Sequence, residues 1–183
     1  YDDNPHVKEM MLTGGSPTMQ PALVNELTHF ANERNIIITI ETEGSHFVET
    51  DYPIDLISLS PKFSNSVPVV GAVTPAGQVV DEKFIHVHNR KRLNTEAINQ
   101  MISFHTDYHY KPVWDGTTDG LKEIEEYRIE LGIPKNKTYI MPAGDTREQL
   151  IKMYPMVFEL CAEHGYNMTG RDHIIAFDTE RAV

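Results

Sequence analysis

The stretch NIIITIETEGS, residues 35–45, decides the fold. Successive side chains of a strand point to opposite faces, so Ile36, Ile37, Ile38 and Ile40 place apolar, β-branched groups on both. A strand that is apolar on both faces is one covered by helices on both sides, as in a parallel sheet. Its carboxyl end turns polar at Glu41 and breaks at Gly44.

Upstream, EMMLTG reads as a shorter strand ending in a glycine pair. A helix over residues 21–35 follows, with Leu23, Leu27 and Phe30 spaced as one apolar face. Downstream, IDLISLSPK is a third strand. Residues 63–90 loosen into VPVVGAVTPAGQVV, a segment punctuated by Gly and Pro that reads as an inserted loop or hairpin. Near its end IHVH puts His86 and His88 on one strand face; beyond it a helix spans residues 95–104, and HTDYH puts His105 and His109 one helical turn apart. YHYKPVWD is then a strand, and residues 119–131 form a helix stopped by Gly132 and Pro134. TYIMPAG is a strand, DTREQLIKMYPMVFELCAEHG a helix with an Asp/Thr cap and a stop at Gly165, and RDHIIAFD a last strand. This repeat of strand, loop and helix predicts one α/β domain over residues 1–183, its sheet mainly parallel, either doubly wound or a partial barrel.

The chain has 183 residues, 40% of them hydrophobic, enough to bury a core. Its formal net charge of −11 repels a phosphate backbone, so a small molecule rather than a nucleic acid is the expected partner. The single cysteine, Cys161, excludes an internal disulfide and any cysteine-built cluster made from these residues alone. It lies in helical register with Val157 and is expected to be packed. No apolar stretch approaches the ~20 residues of a membrane span, and YDDNPHVKEM is not a signal peptide, so the cytoplasm is the expected compartment. The two histidine pairs have spacings that metals use but lack a third ligand, and neither is expected to be a site. EIEEY and KRLN read as solvated helix faces and caps; Trp114 could stack on a flat ligand, though a lone tryptophan in a strand is more often core, and it is assigned no role.

Ligands of parallel α/β folds sit at the carboxyl ends of the strands. There the chain places TGGSP, ETEGS, SLSPK, VWDG and MPAG. Glycine and proline in these turns let main-chain groups face a ligand with no β-carbon in the way.

This ordered series resembles the radical S-adenosylmethionine enzymes, most closely the 7-carboxy-7-deazaguanine synthase family. LTGGSPTMQ is similar to that family's TGGEP segment, TIETEGS to its ETNG-type strand end and DLISLSPK to its SPK motif. YIMPAGDTREQL followed by CAEHGYNMTGRDHIIAF is similar to its C-terminal strand, helix and R-x-H ending. The resemblance implies a partial β/α barrel of the radical S-adenosylmethionine type, commonly a homodimer. It implies conversion of 6-carboxy-5,6,7,8-tetrahydropterin to 7-carboxy-7-deazaguanine with release of ammonia. It further implies that Thr13, Glu41, Arg171 and His173 face the pterin. By the same resemblance Gly14, Gly15 and Ser16 would lie against the methionine part of S-adenosylmethionine, Ser60, Pro61 and Lys62 would hold its carboxylate and ribose, and Met141, Pro142, Ala143 and Gly144 would wall its adenine.

Two departures stand out. Where the family pattern has a glutamate the chain has Ser16, which offers a hydrogen bond but no charge for the cofactor's ammonium. A charged hydrogen bond contributes about 1.5–3 kcal/mol against about 0.5–1.5 for a neutral one. The family's three-cysteine loop, which ligates a [4Fe–4S] cluster, and its magnesium ligand precede the TGG strand, so those ligands are expected upstream of residues 1–183. The alternative readings are a non-catalytic relative that binds a pterin or nucleoside and, more weakly, a glycyl-radical activating enzyme, against which SPK and R-x-H speak.

Overall fold

The structure, a computed structural model, describes residues 3–74 and 77–180. In chain order its elements are β1 (Glu9–Leu12), α1 (Pro21–Arg34), β2 (Ile37–Thr42), β3 (Leu56–Leu59), α2 (Glu82–Lys91), α3 (Thr95–Phe104) and β4 (Tyr108–Tyr110). They continue with β5 (Val113–Trp114), α4 (Thr118–Glu130), β6 (Tyr139–Pro142), α5 (Arg147–His164), β7 (Asn167–Met168) and α6 (Asp172–Phe177). Packing groups them into two compact units, Tyr1–Pro61 with Leu93–His109, and Lys62–Arg92 with Tyr110–Val183.

The first unit holds a sheet in the order β1-β2-β3-β4. β1 and β3 both run parallel to β2, with Leu12 opposite Ile40 and Thr42 opposite Leu59, so the turns after all three strands leave from one edge. Ile38, Ile40, Ile57, Leu59, Ile98 and Met101 form the core between sheet and helices. Burying each such side chain contributes about 1.5–3 kcal/mol, which is why the isoleucine-rich strand sits centrally. α1 opens with Pro21, whose missing N–H has no role at a helix start, and ends on Asn35 in the left-handed region (φ 51°). The buried face of α1 is Val24, Thr28 and Ala31, one position on from the expected Leu23, Leu27 and Phe30.

The second unit has a parallel sheet β5-β6-β7. α5 begins with a capping box, Thr146 accepting from Gln149 N and the Gln149 side chain accepting from Thr146 N, and it stops at left-handed Gly165 (φ 73°). Within residues 69–80, Val73 pairs antiparallel with Val79, so the loose segment is a hairpin; its Pro75 and Ala76 lie outside the described residues.

Three strand expectations are overturned. IHVH is part of helix α2, which Asp81 caps by accepting from Phe84 N, so His86 and His88 project about 200° apart. YHYKPVWD is two strands, β4 and β5, in different sheets, split around Lys111 and Pro112. RDHIIAFD is helix α6, whose carbonyls at Ile175 and Ala176 accept from the Arg147 guanidinium at 2.7 and 2.8 Å. That tie across the unit satisfies carbonyls a helix end leaves open, and it outweighs the strand preference of the Ile174–Ile175 pair. His105 and His109 are likewise not a helical pair, because α3 ends at Phe104 and His105 is already extended.

Candidate functional site

In the first unit the register of β1 against β2 brings the TGGSP turn beside the end of β2. Thr13 Oγ1 donates to Glu41 Oε2 at 3.1 Å and Ser16 Oγ donates to Glu43 Oε1 at 2.8 Å. Two hydroxyls of one turn thus hold two carboxylates of the next. Ser45 Oγ also donates to Glu43 Oε1, and lies 2.7 Å from His46 Nδ1. A hydroxyl has one proton to give, so His46 Nδ1–H is the donor to Ser45, and Thr18, 3.2 Å from Ser16 Oγ, donates to Ser16. Every proton in this chain of groups points toward the Glu43 carboxylate. Between the hydroxyls, Gly14 and Gly15 have φ of 85° and 59°, and a β-carbon on either would meet nothing within 4 Å. Such a backbone favours glycine and leaves its main chain uncovered.

The turn carrying Glu43 is fixed from behind. Gly44 (φ 82°) is buried, and a β-carbon there would stand 2.6 Å from Ile98 Cγ1 and 2.8 Å from its Cδ1. Gly44 N donates to Thr42 Oγ1 at 3.1 Å, and Asn94, which caps α3, donates from Nδ2 to Ser45 O at 3.0 Å. Below, His105 is buried beside Phe104 and Phe47 and accepts at Nδ1 from Ile54 N at 3.2 Å. Burial lowers its pKa to about 4, against a smaller raising effect of its hydrogen bond with the Val48 backbone. After β3, Ser60 N donates to Thr42 O at 2.8 Å and Pro61 is buried.

On its other side the glycine turn borders a cleft of about 230 Å³, with apolar walls at Met11, Leu12, Leu23 and Leu27. Leu23 and Leu27, two of the three residues that set the helix's apolar spacing, line this cleft.

In the second unit Lys62 has an exposed side chain, while its carbonyl accepts from Arg92 Nη1 at 3.1 Å. The same nitrogen pairs with Glu123 Oε1 at 2.9 Å, and Glu123 accepts from Ser64 N and Oγ. Burial pushes the Glu123 carboxyl up, but the Ser64 and Arg92 bonds bring it below its ordinary value. Glu123 and Arg92, read as solvated, are therefore a half-buried brace for the turn through Lys62 and Ser64.

At the end of β6, Met141 N and Ala143 N donate to Pro112 O and Trp114 O, both at 2.9 Å. Trp114 is buried, and Pro142 pairs opposite it. Gly144 has φ 155° and its carbonyl accepts from Arg171 Nη1 at 2.7 Å, so the R-x-H arginine grips the MPAG turn. His173, two residues into α6, is exposed. Cys161 is buried, its Sγ donating to Asn167 O at 3.3 Å, and burial raises its pKa.

Sequence reading missed Glu43 and its partner Ser45. The available signal was the pair of carboxylates two residues apart in ETEG, which a strand directs to one side. Among the described residues no three His, Cys, Asp or Glu side chains group as metal ligands, and no helix is long and apolar enough to cross a membrane.

No family model matches the chain. It is similar to the 7-carboxy-7-deazaguanine synthase of Rhodopirellula baltica, 29% identical over 177 residues, 97% of this chain and 64% of that protein. The enzyme of the same name from Halobacterium salinarum is 30% identical over 175 residues, 92% of this chain and 65% of that protein. That from Pyrobaculum aerophilum is 21% identical over 177 residues, 96% of this chain and 68% of that protein. The chain thus spans just under two thirds of the length of the first two relatives. The crystal structure of QueE from Escherichia coli is similar in fold, with a TM-score of 0.55 at 14% identity over 90% of this chain and 56% of that one. That likeness gives the fold class: α/β with parallel sheets, as in QueE. Over nearly its full length, at about 30% identity, the chain is homologous to proteins named 7-carboxy-7-deazaguanine synthase.

Proposed function

We propose that the chain is the substrate- and cofactor-binding part of a 7-carboxy-7-deazaguanine synthase, acting in the cytoplasm as a homodimer on 6-carboxy-5,6,7,8-tetrahydropterin. The observation that carries this reading is the pair of hydroxyl-held carboxylates at adjoining strand ends, Thr13 with Glu41 and Ser16 with Glu43, on either side of an uncovered glycine pair.

The residues of this turn suit S-adenosylmethionine. Its methionine end carries an ammonium and a carboxylate, which call for a held anion and for backbone N–H donors with room to approach. When bound, that cofactor supplies the radical chemistry; the chain's residues supply binding and orientation. In this reading Gly14, Gly15, Ser16, Ser60 and Pro61 in the first unit serve the cofactor, as do Lys62, Met141, Pro142, Ala143 and Gly144 in the second. Thr13 and Glu41, with Arg171 and His173, serve the pterin. A carboxylate such as Glu41 accepts from the N–H edge of a guanidine-like ring, and an arginine binds a carboxylate through two parallel bonds. The described residues do not suit an iron–sulfur cluster, since the lone thiol of Cys161 is buried and bonded within its own unit. Cluster and magnesium ligation is assigned here to the part of the relatives that this chain does not span.

The test is anaerobic turnover of 6-carboxy-5,6,7,8-tetrahydropterin by the reconstituted holoprotein, followed by ammonia release and by the mass of the product. Stoichiometric ammonia and 7-carboxy-7-deazaguanine are expected. Binding of the pterin without either product would leave a binding protein and overturn the enzyme.

A further inference from the structure

We infer that Glu43 supplies the negative charge that meets the cofactor's ammonium group; this rests on the cofactor reading above. The glycine turn has no such charge of its own, since Thr13, Gly14, Gly15, Ser16, Pro17 and Thr18 contain no ionisable side chain. An ammonium placed against it would lack a charged partner unless a neighbour supplied one.

The structure brings that neighbour. Glu43 sits one residue beyond the end of β2 and is half-buried, with Oε1 2.8 Å from Ser16 Oγ. Ser16 and Ser45 both donate to Oε1, which leaves Oε2 outside this pair of bonds. A carboxylate has acceptor sites on both oxygens, so one anchored oxygen and one further oxygen is an arrangement able to accept an ammonium proton.

Position is held as firmly as charge. Ile98 blocks any side chain at Gly44, Thr42 takes its N–H, and Asn94 takes the carbonyl of Ser45. A carboxylate held in place before binding loses little freedom on meeting a ligand. Glu41, by contrast, lies inside β2 at the level of Thr13 and is bonded there. The two carboxylates divide by height along the strand, Glu41 beside Thr13 and Glu43 beside Ser16.

The geometry also says which exchange should be silent. Since Ser16 Oγ touches the Glu43 carboxylate, a longer acid at position 16 reaches the same place from the opposite turn. The experiment titrates the anaerobic holoprotein by calorimetry with S-adenosylmethionine and with its analogue lacking the α-amino group. Three proteins are compared: the natural chain, Glu43→Gln, and Glu43→Gln combined with Ser16→Glu. Glu43→Gln should weaken S-adenosylmethionine about 10- to 100-fold while changing the analogue about twofold or less, and the combined variant should recover most of that loss. Equal weakening of both ligands by Glu43→Gln, or no weakening of either, would overturn the assignment while the cofactor reading stands. Failure of the natural chain to bind S-adenosylmethionine would overturn the cofactor reading itself, and this assignment with it.

Discussion

Two turns at neighbouring strand ends use glycine in the left-handed region for opposite reasons. At Gly44 a β-carbon would enter the space of Ile98; at Gly14 and Gly15 it would meet nothing within 4 Å. The first glycine is required by packing and lets α3 close over the end of β2. The second pair is required by backbone conformation alone, and its uncovered main chain lies between the hydroxyls that hold Glu41 and Glu43. A glycine in a motif therefore carries no single meaning, and its surroundings decide whether it supports the fold or exposes the backbone.

The sharpest way to break the contrast is Gly44→Ala. Left-handed strain and overlap with a fully buried isoleucine together should lower the unfolding free energy by about 2–4 kcal/mol in urea titration. In an Ile98→Ala background the same change should cost less than half as much, and an undiminished cost would show that packing is not the cause.

The packed side should also be the acid-sensitive one. His105 holds its ring neutral, because protonating Nδ1 would end its bond from Ile54 N and charge a buried group. Its folded pKa, about 4, lies below the ordinary 6.5, so its contribution is complete above pH 6.5 and is lost as pH falls toward 4. About 2–3 kcal/mol should disappear over that window. His105→Gln should flatten the profile of stability against pH there, and an unchanged slope would assign the loss to other groups.

Asn94→Ala removes both the α3 cap and the bond to Ser45 O. We expect about 1–2 kcal/mol of destabilisation by thermal unfolding. Smallest is Gly15→Ala, about 1 kcal/mol from backbone strain alone. If it proved as costly as Gly44→Ala, the two turns would not differ in the way described.

Much of this was legible in one dimension. The isoleucine-rich residues 36–40 pointed to a central parallel strand, although Ile37 at its start is exposed; the spacing of caps and stops bounded α3 and α5 closely, and the TGGSP, ETEGS, SLSPK, VWDG and MPAG turns all fall at strand ends. These follow from period and local backbone chemistry, which act over a few residues. Where local preference was weak, distant partners prevailed. Ile174 and Ile175 favoured a strand, yet Arg147 captures the carbonyls of a helix there. Asp81 capped α2 through a stretch whose histidines suggested a strand. Leu23 and Leu27 had helical spacing, but the rotation of α1 on its sheet turned Val24, Thr28 and Ala31 inward.

The candidate site divides in the same way. Sequence alone determined that TGGSP and ETEGS close successive strands of a parallel sheet, because strand period and turn residues are properties of short segments. Only the tertiary structure decided that Ser16 meets Glu43 and Thr13 meets Glu41. Those bonds join residues 27 and 28 apart, and they exist because the register of β1 on β2 sets Leu12 against Ile40.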